Sequence, residues 1–129
     1  MSVVFGKRTI VSAVASGNLD FAEPAAHRFV RRIGDDVLQM AGSGAIAYGV
    51  LQNKPRDNEH ASICVEGFTK LVFGESIGVG AALMSNNGGY AIKAVTSGGM
   101  NYVCGRSEQA ANSGMIGQAY IYVSNVGSF

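Results

Sequence analysis

Two histidines, two cysteines and two short carboxylate groups are the residues of this 129-residue chain best equipped for chemistry. His60 and Cys64 come nearest to a nucleophile with its base. On one strand, however, four residues at about 3.3 Å each hold them roughly 13 Å apart, too far for proton transfer. His60 therefore reads as a polar residue at a loop end, Cys64 as a packed thiol, and His27 stands without a partner. The histidines and cysteines lack zinc-ligand spacing. Asp35-Asp36 and Asp57-Asn58-Glu59 offer hard oxygen ligands, but no twelve-residue calcium loop surrounds them, and acidic residues beside glycines serve turns. The run Gly74-Glu75-Ser76-Ile77-Gly78-Val79-Gly80 has neither the Lys-Ser/Thr of a phosphate loop nor a following helix pattern. The expectation is a protein with no catalytic residue, no metal and no cofactor. Tyr120 and Tyr122 alternate with Ile121 and Val123, giving one aromatic and one aliphatic face. That pattern serves either a half-buried strand or an interface, because tyrosine joins apolar area to a polar tip.

Composition says what elements must carry these residues. Hydrophobic residues make up 47% of the chain and charged residues 15%, which speaks against a disordered tail or a solvated long helix. Eighteen glycines against two prolines, without a collagen period, is the mark of a protein of many turns. The formal charge is +1, ten basic residues against nine acidic, so the strong basic excess of a nucleic-acid binder is missing. His27-Arg28-Phe29-Val30-Arg31-Arg32 is the one basic concentration, better suited to an acidic protein patch. Two cysteines suit a reducing compartment with both thiols free, a disulfide being the other option. No apolar run reaches the roughly 20 residues of a membrane helix. Lys7-Arg8 ahead of Thr9–Ala15 makes a poor secretion signal, since the apolar run is short and broken by Thr9 and Ser12.

Along the chain the pattern is strand, turn, strand. Residues 1–26 read as an extended N-terminal arm with one short strand, lying either on the body or on a neighbouring chain; residues 27–129 form the body. Apolar runs at Phe29–Ile33, Val37–Ala41, Ile46–Leu51, Ala61–Glu66, Phe68–Phe73, Ala82–Ser85 and Tyr90–Val95 are bounded by turn residues. Gly67 is expected to turn the chain between two of them. Asn86-Asn87-Gly88-Gly89 is the strongest hairpin signal, with Asn-Gly supplying a type I′ turn. Ser107–Asn112 has the makings of one helical turn, stopped by Gly114.

The order of these pieces echoes itself. Gly34 and Gly88 lie 54 residues apart, Gly49 and Gly105 lie 56 apart, and so do Val65 and Ile121. Two copies are too few for a solenoid. They fit an all-β barrel or sandwich built from two similar β-units.

From Arg28 to Val123 the chain resembles a known type. The carriers are Asp36-Val37-Leu38-Gln39-Met40, Ala47-Tyr48-Gly49-Val50-Leu51-Gln52-Asn53-Lys54-Pro55 and Ala61-Ser62-Ile63-Cys64-Val65-Glu66-Gly67. They continue with Phe68–Gly74, Ile77-Gly78-Val79-Gly80, Ala82–Gly88 and Ile116-Gly117-Gln118-Ala119. This succession is similar to the small capsid cement, or head-decoration, proteins of tailed bacteriophages. Where that family often carries Gly-Asp after the central turn, this chain has Gly80-Ala81. The resemblance implies a structural protein of the virion, made in the host cytoplasm, that binds the outside of the assembled capsid and clamps neighbouring major capsid subunits. Its partners would be the major capsid protein and neighbouring copies of itself, with no direct nucleic acid and no membrane. The contacts expected are Val3, Val4, Phe5, Lys7, Arg8 and Ile10 of the arm, Arg28, Arg31 and Arg32 of the basic cluster, and Tyr120 and Tyr122. The competing readings are a small β-barrel ligand-binding or enzyme subunit and a self-assembling β-protein.

Overall fold

In the computed structural model, residues 8–17, 26–34, 37–40, 42–44, 47–95 and 102–122 are described, residues 37–40 as backbone only. They form nine strands: β1 (Thr9–Ala15), β2 (Phe29–Gly34), β3 (Val37–Met40), β4 (Gly49–Leu51), β5 (His60–Val72), β6 (Ala82–Ser85), β7 (Ala91–Lys93), β8 (Gly105–Ser107) and β9 (Ile116–Ile121). The all-β expectation holds, and no helix occurs among the described residues. Ser107–Asn112 makes no helical turn. Its residues continue from β8 into an antiparallel bridge between Ala111 and Ile77, and Gly114 turns the chain at a φ of 81°.

The strand order β1-β3-β2-β4-β5-β9-β8-β6-β7 hides two closed circuits. In the first, β1 pairs with β3 in parallel and also returns antiparallel to the first half of β5, from Thr9↔Glu66 to Val14↔His60. Thus β1-β3-β2-β4-β5 is a five-stranded ring. In the second, the other half of β5 pairs with β9 from Gly67↔Ile121 to Val72↔Ile116, and β8, β6 and β7 follow. A parallel bridge between Phe73 and Ala91 closes it. The two β-units read from the glycine echo are these rings, with β5 common to both.

Two expectations are corrected and one open choice is decided. Gly67 does not reverse the chain: β5 runs unbroken for 13 residues through it, and a φ of 114°, open only to glycine, bends the strand as it changes partners. The Asn86–Gly89 hairpin forms, but not as a type I′ turn. Only Gly89 has a positive φ there (82°), Gly89 N–H donates to Asn86 O, and the Asn86 side-chain oxygen accepts from the Gly88 and Tyr90 amides. A turn followed by one left-handed glycine is the common three-residue alternative. The short strand expected in the arm is residues 9–15, and of the two options left open it lies on the body, where β1 supplies the partner that closes the first ring on β5.

Each ring is filled from one face of its strands. Ala13, Ala15, Val30, Leu51, Ala61, Ile63 and Val65 form the smaller core inside the first ring. The larger core joins Leu71, Phe73, Ile77, Leu83, Ala91, Ala119 and Ile121 of the second unit to Phe29 and Val50, which project from the first. Backbone hydrogen bonds from Phe29 N to Gly89 O and from Val72 N to His27 O stitch the units together. Both cysteines are free and buried.

Candidate binding surface

The glycine spacing locates the surface. Gly49 and Gly105 occupy the same register in the two rings, each sixteen residues before its neighbour on the next strand, Val65 or Ile121. A Cβ on Gly105 would sit 2.5 Å from the Tyr120 carbonyl oxygen, and one on Gly49 would collide with the carbonyl oxygen of Cys64, the residue equivalent to Tyr120. This backbone contact aligns the units residue by residue. Across the first unit the row is Phe29–Val50–Cys64–Ile10. Across the second it is Ala82–Arg106–Tyr120–Phe68.

The rows have opposite fates. Phe29, Val50 and Cys64 are 0% exposed, the first two buried against the second unit. In the second unit Ala82 and Arg106 are exposed and Tyr120 and Phe68 only half-buried. Phe68 and Tyr120 are direct cross-strand partners with ring centroids 4.9 Å apart and an interplanar angle of 65°, an edge-to-face pair. Tyr122 follows at 6.4 Å from Tyr120, and the Arg106 guanidinium lies 5.0 Å from the Tyr120 ring centre on the other side. Glu108 holds Arg106 in place at 2.7 Å. Partial burial pushes the Tyr122 hydroxyl up, so it stays neutral and able to donate. Lys70, on the same face of β5 as Phe68, is exposed.

The sequence-expected residues fall in several places. Tyr120 and Tyr122 meet on this strip. Arg31 and Arg32 are exposed on β2, with Arg32 5.2 Å over the Tyr48 ring. Arg28 is 5% exposed; its guanidinium lies 4.3 Å over the Tyr90 ring, and its Nε donates to Gly88 O, so it ties the units together from inside. Arg8 and Ile10 are exposed at the start of β1. Val3, Val4, Phe5 and Lys7 lie outside the described residues, as do Asp35 and Asp36. Phe68, Lys70 and Arg106 belong to the strip but carry no signal of their own, since cross-strand register decides their company.

The groups weighed for chemistry are dispersed. His60 lies at the exposed start of β5, its Nδ1 3.5 Å from Ser12 Oγ. Cys64 donates to Glu66 O, and burial pushes its thiol up, away from the reactive thiolate. Cys104 is pushed up to about 11 by the same cause. Among the described residues, no three His, Cys, Asp or Glu side chains gather as a metal site would require. His27 sits where the units meet, at a φ of 66° rare outside glycine and asparagine, with a buried Nδ1 that has no partner.

No family model and no curated protein matches the chain. A solved structure does: the N base of the head fiber gp8.5 of bacteriophage phi29. The likeness spans 92% of this chain and 97% of that one, at a TM-score of 0.68 and 20% sequence identity. The fold is shared with a phage head protein. At that identity the likeness speaks for the path of the backbone, and the strip's residues stand on their own geometry.

Proposed function

We propose that the chain is a bacteriophage head-decoration protein, a non-enzymatic part of the virion. It binds the outside of the assembled capsid and stabilises it by clamping neighbouring major capsid subunits. The observation that carries this is the shared fold with the phi29 head fiber base over nearly the full length of both chains. The half-exposed aromatic strip supports it, since Tyr, Phe and Arg at a protected face are the composition of protein interfaces.

Of the contacts expected from sequence, Arg8, Ile10, Arg31 and Arg32 are exposed and Tyr120 and Tyr122 half-buried, which supports the reading, and the proposal extends to Val3, Val4, Phe5 and Lys7. Arg28 is withdrawn by its burial. Strand addition to the body has limited room: most described strands have a partner strand on each side, although β1 meets β3 only at Val14 and Ala15 and β7 is met on its second edge only by the Phe73 bridge. The Lys93 amide, toward that edge, donates to the Glu75 carboxylate. The body therefore offers faces in place of edges, and repetition over a symmetric shell multiplies a modest contact.

The test is co-sedimentation of the purified chain with assembled, undecorated heads, followed by heat challenge of the decorated shells. Saturable binding to heads but not to unassembled capsid subunits, with a raised disruption temperature, is expected. A chain that stays in the supernatant, or that binds without stabilising, overturns the clamp. A truncation ending at Lys7 tests the arm, because one reaching residue 26 also removes β1 and opens the first ring.

A further inference from the structure

The two rows of the aligned units point to a docking surface whose partner chemistry can be specified. In the first unit the row is a docking face already in use: Phe29 and Val50 enter the second unit's core. The equivalent row of the second unit has the same pleat and register, yet faces water. Its composition has changed to match. Where the first unit places Val50 and Cys64, the second places Arg106 and Tyr120, and Phe68 replaces Ile10. A face covered permanently during folding can be wholly apolar. One that must stay soluble until a separate protein arrives needs aromatic area with charged rims.

The rim charges choose the partner. Lys70 extends from the Phe68 side, two residue pairs further along β5 and β9 on the same face. Arg8 precedes Thr9, which pairs with Glu66, and so stands at the same joint beside Gly67. Both are exposed. Together they act on His27, whose imidazole is held below its ordinary range first by burial and then by these two cations. Arg106 bounds the other side. Of the nearby acids, Glu108 is engaged by Arg106, and Glu66 is exposed next to the joint. The aromatic floor Phe68–Tyr120–Tyr122 thus lies between a basic rim of Arg8 and Lys70, with Glu66 beside it, and the compensated Arg106–Glu108 pair, in a molecule whose overall charge is only +1.

We infer that the outer face of β5, β9 and β8 is a docking surface for an acidic protein segment, its carboxylates meeting Arg8 and Lys70 and its apolar side chains resting on Phe68, Tyr120 and Tyr122. This rests on the decoration reading for the identity of the partner, an acidic segment of the capsid shell, but not for the chemistry. The stacked pair Phe68–Tyr120 supplies rigid area at low entropic cost, and the unburied cations give attraction that salt weakens.

Two measurements decide it. In the first, a hexaglutamate peptide is titrated into the full chain and followed by amide and side-chain NMR. Shifts confined to Arg8, Phe68, Lys70, Arg106, Tyr120 and Tyr122, abolished in Arg8→Glu/Lys70→Glu, support the surface; shifts scattered over Arg31, Arg32, Lys54 and Arg56 overturn it. In the second, the double variant and Tyr120→Ser are compared with the natural chain for binding to heads. A loss of about tenfold or more in affinity for each is expected, and the natural chain's own affinity should weaken as salt rises. Undiminished binding by both folded variants overturns the surface while leaving decoration intact. A natural chain that ignores heads yet binds the peptide at the strip overturns decoration and leaves the surface. The unchanged amide spectrum of each variant separates lost contact from lost fold.

Discussion

The first β-unit and the second are built alike and used differently. Both close a ring of five strands, and both bring a glycine, Gly49 or Gly105, against the backbone of the strand beside it. In the first, Phe29 and Val50 of the outward row spend their apolar area on the second unit, and only Ile10 at the row's end is exposed. In the second, the same row carries an edge-to-face aromatic pair, a guanidinium and open water. One pleated scaffold can therefore serve as internal mortar or as external surface. Side chains at three or four register positions make the difference, while the hydrogen-bond ladder stays the same.

The comparison is broken hardest at its buried row. Phe29→Ala should cost about 3–5 kcal/mol, because it empties the centre of the larger core and loosens the unit joint together. Phe68→Ala, at the opposite end of the equivalent row, should cost only about 1 kcal/mol, since its ring keeps one side in water. Denaturant unfolding of the two variants measures the gap; equal losses would mean the second row is a core after all.

Next in size are the glycine approaches. Gly49→Ala and Gly105→Ala should each lose about 2–3 kcal/mol, because backbone must move to admit a methyl group. Similar falls in Tm at the two positions would sharpen the equivalence of the rings. A harmless Gly105→Ala would show that β8 and β9 are held more loosely than β4 and β5.

His27 tests the joint between the units. Its folded imidazole has a lowered pKa, so the unfolded chain binds the proton more readily. Stability should be steady above the unfolded value of about 6.5 and decline as pH falls below it toward the folded pKa. Thermal melts between about pH 5 and pH 8 measure this. His27→Asn, which tolerates the left-handed backbone, should flatten the acid side of the curve. An unchanged slope would assign the acid sensitivity elsewhere.

The smallest effect is expected at the exposed cation. Arg106→Ala should change stability by no more than about 0.5–1 kcal/mol, since its ion pair with Glu108 and its place over Tyr120 both face solvent. A larger loss would show that this row is already a structural contact within the chain.

Much of this architecture was legible in the residues themselves. Alternating apolar runs between glycines call for strands, because a period of two buries one face of a pleated sheet. The hairpin at Asn86–Gly89 is local chemistry and formed where its residues stand, although the turn chose one left-handed glycine and not two. The echo of Gly49 in Gly105 marked two similar units, since both positions answer the same steric demand. Tertiary structure alone decided the rest. Whether Gly67 reverses a strand or bends it depends on which partners lie beyond it, and here Thr9–Ala15 and Ile116–Ile121 wait on its two sides. Tyr120 could be read as aromatic and alternating. Its company of Phe68, Arg106 and Lys70 could not, because cross-strand register is a property of the closed ring. Arg28 shows the same boundary in reverse: a cation in a basic run belongs on the surface by composition, and the approach of Gly88 and Tyr90 from the other unit buried it.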